Sequence, residues 1–336
     1  MNRWIAPAAD GVQPAAGAPR FSVLIAAYNS AATVGAAIES ALAQTAPPHE
    51  VIVCDDGSTD DIEGALRPFR DRIRLVRKDN GGGASALNAA LREASGDFVI
   101  SLDADDEYLP HRLAAVGELA ASRPDLEIVG TDAFYEANGR RIGRFNAPPN
   151  VFPAEEQRRW ILERCFLISP AVRRERLLAV GGWDESFAIA YDWDCWMRLI
   201  LGGARAGSVD EPLLLYRLHE SSLSARRADS LRERIRLLEK NATGGDLTPA
   251  ERAWADEARA RHARTALLAE AQDSVRHGRA DARARLLAVG REPTFGRRAR
   301  VRALLLAASP RPIRRRLLPV LGFGARSERR HATGPT

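Results

Sequence analysis

The 336-residue chain is 45% hydrophobic and 28% charged, a balance that supports a buried core and excludes a wholly disordered chain. Cys54, Cys165 and Cys195 are its only cysteines, too few and too scattered for a disulfide framework or a zinc knuckle, so a reducing cytoplasm is expected. The net charge of +5 is unevenly spread: from Arg291 onward twelve arginines face only Glu292 and Glu328, which leaves the rest of the chain mildly acidic.

Residues 1–20 are rich in Ala, Pro and Gly without periodicity and read as a flexible leader. They lack the apolar core of a secretion signal, and no run reaches the roughly 18 apolar residues of a membrane span. From Phe21 the pattern changes. FSVLIAA, EVIVCDD, IRLVRK and DFVISLD are short β-branched runs, separated by helix-length stretches at Ala31 to Gln44, Asp60 to Arg67 and Ala84 to Ala94. Strand alternating with helix predicts a parallel sheet covered on both faces.

In an open sheet of this kind ligands gather at the carboxyl ends of the strands. Those ends carry Tyr28-Asn29, Asp55-Asp56, Asn80-Gly81-Gly82 and Asp103-Ala104-Asp105-Asp106. Asp55 to Asp60 can be read as a helix cap, or as carboxylates for a base N–H or ribose hydroxyls. The glycines after Asn80 permit either a plain turn or the close approach of a ligand to helix N–H groups. Asp103, Asp105 and Asp106 repel one another unless a divalent cation relieves them, and oxygen ligands favour Mg or Mn over Zn.

A second region, about Leu126 to Ser224, mixes strands and helices and contains GGWDESF, YDWDCWMRL and YRLHESSLS. Asp192, set between Tyr191 and Trp193, is either a helix cap or a carboxylate whose basicity is raised enough to take a proton. His219 is either structural or a metal ligand. From Ala225 to the end the chain reads as an Arg-rich helical region.

Taken in order, AYNS (27–30), DDGSTD (55–60), NGGGASALNAAL (80–91), SGDFVISLDADD (95–106), GGWDESF (181–187) and YDWDCWMRL (191–199) resemble family 2 glycosyltransferases over residues 21–224. The resemblance implies the GT-A fold: a Rossmann-like α/β arrangement with a mixed, mainly parallel sheet flanked by helices, here followed by a C-terminal helical appendage over residues 225–336. It implies transfer of a sugar from a nucleotide-sugar donor, UDP-linked in most of the family, to an acceptor hydroxyl with inversion. Ala27, Tyr28, Asn29, Asp55, Asp56, Asn80, Gly81, Asn88, Asp103 and Ala104 match positions that hold the nucleotide, with Asp56 facing the base. Asp105 matches the metal position, with His219 beside it; Asp192 matches the catalytic base; Trp183, Tyr191 and Trp193 match the acceptor side. Two positions depart from the family pattern: Ala26 stands where proline is usual, and Tyr191 where glutamate is usual.

A saccharide or lipid-linked acceptor in cell-surface polysaccharide or glycolipid synthesis is expected. The alternatives are a non-catalytic nucleotide-sugar binder and a nucleotidyltransferase on a similar sheet. A dinucleotide-binding dehydrogenase ranks below both, since AAYNSAAT follows the first strand where G-x-G-x-x-G would stand. The basic tail reads as a solvated helical surface or as a peripheral contact with the anionic inner face of the plasma membrane. Nucleic acid is not an expected partner, because no aromatic residues interleave the arginines.

Overall fold

The computed structural model describes residues 4–5, 17–219, 227–244, 247–310, 312–314 and 316. Most of the leader, residues 220–226 and the end of the Arg-rich tail lie outside the described residues. The chain divides into two compact units, one within Met1–Ala225 and Asn241–Trp254, the other within Arg226–Lys240 and from Ala255 on. The sequence instead places a single boundary after residue 224. It misses the return of residues 241–254 because helical periodicity does not say which core a helix joins.

In the first unit β1 (Trp4–Ile5) precedes β2 (Phe21–Ala27), α1 (Val34–Leu42), β3 (Glu50–Asp55), α2 (Ile62–Leu66), a short 3-10 helix (Arg67–Phe69), β4 (Arg74–Arg77), α3 (Gly83–Glu93) and β5 (Phe98–Asp103). Then follow β6 (Glu107–Tyr108), α4 (Arg112–Ser122), β7 (Ile128–Ala137), β8 (Arg140–Arg144), α5 (Gln157–Glu163), β9 (Ala171–Arg173), α6 (Arg174–Ala179), α7 (Tyr191–Leu201) and β10 (Ala206–Arg217). Each of the three predicted helices occurs, with α1 and α2 shorter than their periodicity suggests. α2 begins only where the Asp61 carboxylate caps the Gly64 N–H, and the turn that carries Pro68 tightens into the 3-10 helix.

The strands form one sheet in the order β1-β10-β7-β9-β5-β2-β3-β4, with β6 added to β10 and β8 to β7. β5, β2, β3 and β4 run parallel, as do β7 and β10, whereas β9 is antiparallel to both β5 and β7. Two antiparallel pairings in succession restore direction. The carboxyl ends of β2, β3, β4, β5, β7 and β10 therefore share one edge, and residues as distant in sequence as Asp103 and His219 are delivered to it.

The strand runs are continuous rather than alternating because helices cover both faces: six of seven residues in β2 are buried. The core includes Val23, Ile25, Val53, Ile100 and Leu102 from the strands with Val34, Ile38, Leu113 and Val116 from α1 and α4. Every residue from Ala84 to Leu91 of α3 is buried. Its alanines allow this by letting the helix sit close to the sheet.

The second unit is helical. It contains most of α8 (Arg227–Gly244) and α9 (Pro249–Arg276), with all of α10 (Ala282–Arg291) and α11 (Arg297–Ala308). Leu286, Val289, Ala303 and Leu306 belong to its core with Ala271 and Val275.

Candidate active site

The site is assembled from loops at the common carboxyl edge, and the loops first fasten one another. Asn29, after β2, adopts a left-handed φ of 48°. Its side-chain oxygen accepts the N–H groups of Thr59 and Asp60 at 2.7 and 3.3 Å, and its own N–H donates to Ser58. Asp55 accepts the Ser58 N–H at 2.9 Å, an Asx-turn that shapes the same loop. Gly57, at φ 75°, must lack a side chain, since a Cβ would lie 2.8 Å from the Asn80 nitrogen.

Asp56 is 2% exposed. It accepts Lys78 Nζ at 2.7 Å and the N–H groups of Gly81 and Gly82. Both of its oxygens are thus engaged in holding the glycine loop. Three donors hold Asp56 to this loop, a structural use beside the base contact expected of it. Asn29 is likewise committed to the loop. Tyr28 and Asn80 remain exposed beside it, with Ala27 and Ala104 buried at the strand ends.

Asn88 has a structural use as well. Its amide nitrogen donates to the Trp183 carbonyl and to Glu185, and its oxygen accepts the Trp183 N–H. That commits both of its amide hydrogens and one lone pair of its oxygen to the GGWD loop. Trp193, expected at the acceptor, is 5% exposed and donates its indole N–H to the Ile161 carbonyl. It is a core residue of α7.

The acidic cluster behaves as its spacing suggests. Asp103, Asp105 and Asp106 can each offer a carboxylate oxygen such that the three lie within 4.8 Å of one another. One oxygen of Asp106 is buried without a hydrogen-bond partner. Its other oxygen accepts the Arg217 N–H at 2.8 Å, while the Arg217 guanidinium donates to the Asp105 carbonyl and to Glu107. Burial first, and then the charges of Asp192 and Asp105 for Asp103 and of Asp103 for Asp106, pushes both carboxyls well above the ordinary carboxylate range. His219 Nε2 lies 2.7 Å from an oxygen of Asp105. Hard oxygen donors, an unsatisfied buried carboxylate oxygen and an adjacent imidazole fit a divalent cation of the Mg or Mn kind.

Asp192 enters in the first turn of α7, and its charge is among those that raise the pKa of Asp103. Burial pushes its own carboxyl up to about 6, opposed by a hydrogen bond at 3.1 Å from the Trp183 indole N–H. Trp183 is only 2% exposed, so its expected acceptor contact becomes a positioning role toward Asp192. Behind it Asp194, fully buried, holds Arg198 and Asn241, and the Arg198 guanidinium donates to the carbonyls of Val180 and Gly182. Removing one partner of such a buried pair costs on the order of 3–5 kcal/mol.

A consequence can be measured. Because the indole hydrogen bond lowers the Asp192 pKa, Trp183→Phe is expected to raise it further. The acid limb expected near pH 6 for a reaction that needs the ionised Asp192 should then move to higher pH. An unmoved limb would separate Trp183 from Asp192.

Sequence reasoning missed Lys78, Arg217 and the structural use of Asn88 and Trp183. Arg217 left one signal, its place in the YRLH run two residues before His219. The others depend on contacts between distant segments, such as the 95 positions between Asn88 and Trp183. A depression of about 420 Å³ lined by Leu66, Arg70, Ile73, Leu75 and Arg77 shares none of the site's residues.

A mainly parallel sheet with a carboxylate cluster at its carboxyl edge and a second, basic carboxylate facing it defines a transferase of the GT-A type. Residues 22–176 match the family model described as Glycosyl transferase family 2, and over that stretch the chain is similar to that family. It is 28% identical over 213 residues to the UDP-Glc:alpha-D-GlcNAc-diphosphoundecaprenol beta-1,3-glucosyltransferase WfaP of Escherichia coli, covering 62% of this chain and 82% of that one. Among solved structures, S. aureus TarS 1-349 in complex with UDP superposes with a TM-score of 0.59 at 20% identity, covering 92% of this chain and 87% of that one. The mannosyltransferase PcManGT of Pyrobaculum calidifontis, in complex with GDP-Man and Mn2+, gives 0.56 at 24% identity, with 92% and 90% covered.

Proposed function

We propose that the chain transfers a sugar from a nucleoside-diphosphate sugar to an acceptor hydroxyl in a single displacement that inverts the anomeric centre. The observation that carries this is the placement of Asp192, held by the Trp183 indole, beside the Asp103–Asp105–Asp106 cluster. Asp192, with its carboxyl at about 6, is ionised at neutral pH and basic enough to accept the acceptor's proton. Trp183 keeps that carboxylate oriented. Asp105, Asp103 and Asp106, with His219, would hold Mg or Mn. When bound, the cation supplies Lewis-acid stabilisation of charge on the leaving diphosphate.

UDP is the expected donor base, in keeping with the names of WfaP and of the TarS complex. With Mn present, UDP is expected to raise the thermal midpoint more than GDP or dTDP, because binding to the native state raises its apparent stability. No stabilisation by any of the three would remove the donor reading.

A lipid-linked saccharide acceptor follows from the name of WfaP, and a peripheral membrane contact would suit it. No helix among the described residues is long and apolar enough to cross a bilayer. α11 nevertheless exposes Val301, Leu304 and Leu305 alongside Arg297, Arg298 and Arg302, a pairing that suits an anionic surface. Full-length protein is expected to float with vesicles containing anionic phospholipid, and Leu304→Asp with Leu305→Asp to reduce that severalfold. Equal flotation of the two proteins would discard this face as the contact.

A further inference from the structure

The first turn of α3 presents the N–H groups of Gly83, Ala84 and Ser85, which no carbonyl within the helix can reach. No side chain caps this end. Asp56 takes the two preceding N–H groups, those of Gly81 and Gly82, and goes no further. Among the described residues the three N–H groups of the turn find no acceptor.

Tyr191 stands over this turn. A Cβ on Gly83 would lie 2.9 Å from its hydroxyl oxygen, so a larger residue there would push the phenol aside. The residue is 8% exposed, and its hydroxyl has no hydrogen-bond partner among the described residues. Burial first, then the charges of Asp192, Asp103 and Asp105, hold the phenol protonated, so its O–H is available to donate. Four donors thus converge where the partial positive charge of a helix end is strongest.

The departure from the family pattern acquires a physical meaning. A glutamate at position 191 would bring its own carboxylate to these N–H groups. A neutral phenol leaves them for an anion carried by the substrate.

We propose that the Tyr191 hydroxyl and the N–H groups of Gly83, Ala84 and Ser85 form a seat for an oxyanion of the substrate. The seat takes either a phosphate oxygen of the donor or the carboxylate of an acidic donor sugar. It rests on the donor reading above and adds a determinant of which donor is held. Its position fits both sources, because Tyr191 lies close enough to feel the charges of Asp192, Asp103 and Asp105.

Calorimetry with Mn present tests it, using inorganic pyrophosphate, UDP, UDP-glucose and UDP-glucuronate against wild type, Tyr191→Phe and Gly83→Ala. A hydrogen bond to a charged oxygen is lost in the first variant, and in the second a methyl group is driven against the hydroxyl. Both are expected to weaken binding of the seated anion by roughly tenfold or more. Equal losses for all four probes identify the phosphate oxygen, and a loss confined to UDP-glucuronate identifies the sugar carboxylate. Affinities within about twofold of wild type for every probe in both variants overturn the seat, as does a wild type that binds none of the four. Wild type that binds pyrophosphate but no nucleotide, with the pyrophosphate affinity lost in Tyr191→Phe, keeps the seat and removes the donor reading instead.

Discussion

Asp192→Asn is expected to fold, to bind UDP as wild type does, and to transfer sugar roughly a hundredfold or more slowly. Asparagine has nearly the same shape, and its side-chain oxygen can still accept the Trp183 indole N–H that now reaches Asp192 at 3.1 Å. Basicity alone is removed. The acceptor hydroxyl must then lose its proton to water, a far poorer base than a carboxylate whose pKa is about 6. Single-turnover transfer measured beside donor affinity separates the two effects: a fall in rate at unchanged affinity is the expected result, and wild-type turnover would take Asp192 out of the mechanism. The wild-type rate should itself rise with pH through about 6 and then level, as a base that must be ionised requires.

Asp105→Ala is expected to abolish the dependence of UDP binding on Mg or Mn. Loss of an outer partner of a metal ligand typically costs about 10–100-fold in metal affinity, so loss of a direct ligand should cost more than about a hundredfold. The substitution removes one of the three carboxylates and also frees His219 from its 2.7 Å contact. Asp103 and Asp106 remain, but the Asp106 carboxylate has one oxygen engaged by the Arg217 backbone. Titrating UDP into the variant with and without Mn is the measurement. Binding that Mn still strengthens would assign the ion to Asp103 and Asp106.

Much of this was legible in the residues themselves. β-branched runs spaced by helix-length segments identified β2, β3, β4 and β5, because period and length are local properties of a chain. Polar residues immediately after such strands pointed to the functional edge, because parallel strands must all end there. The clustering of Asp103, Asp105 and Asp106 followed from their adjacency.

What only the tertiary structure decided is which polar groups remain available. Asp56 and Asn29 look the same in sequence whether they await a nucleotide or clamp a loop, and the fold commits them to Gly81, Gly82, Thr59 and Asp60. Trp183 looks like an acceptor platform until packing buries it and turns its N–H toward Asp192. The 95-residue reach from Asn88 to Trp183 and the 114-residue reach from Asp105 to His219 have no local signature. A hydrogen bond depends on distance and direction in space, and only the folded sheet sets those.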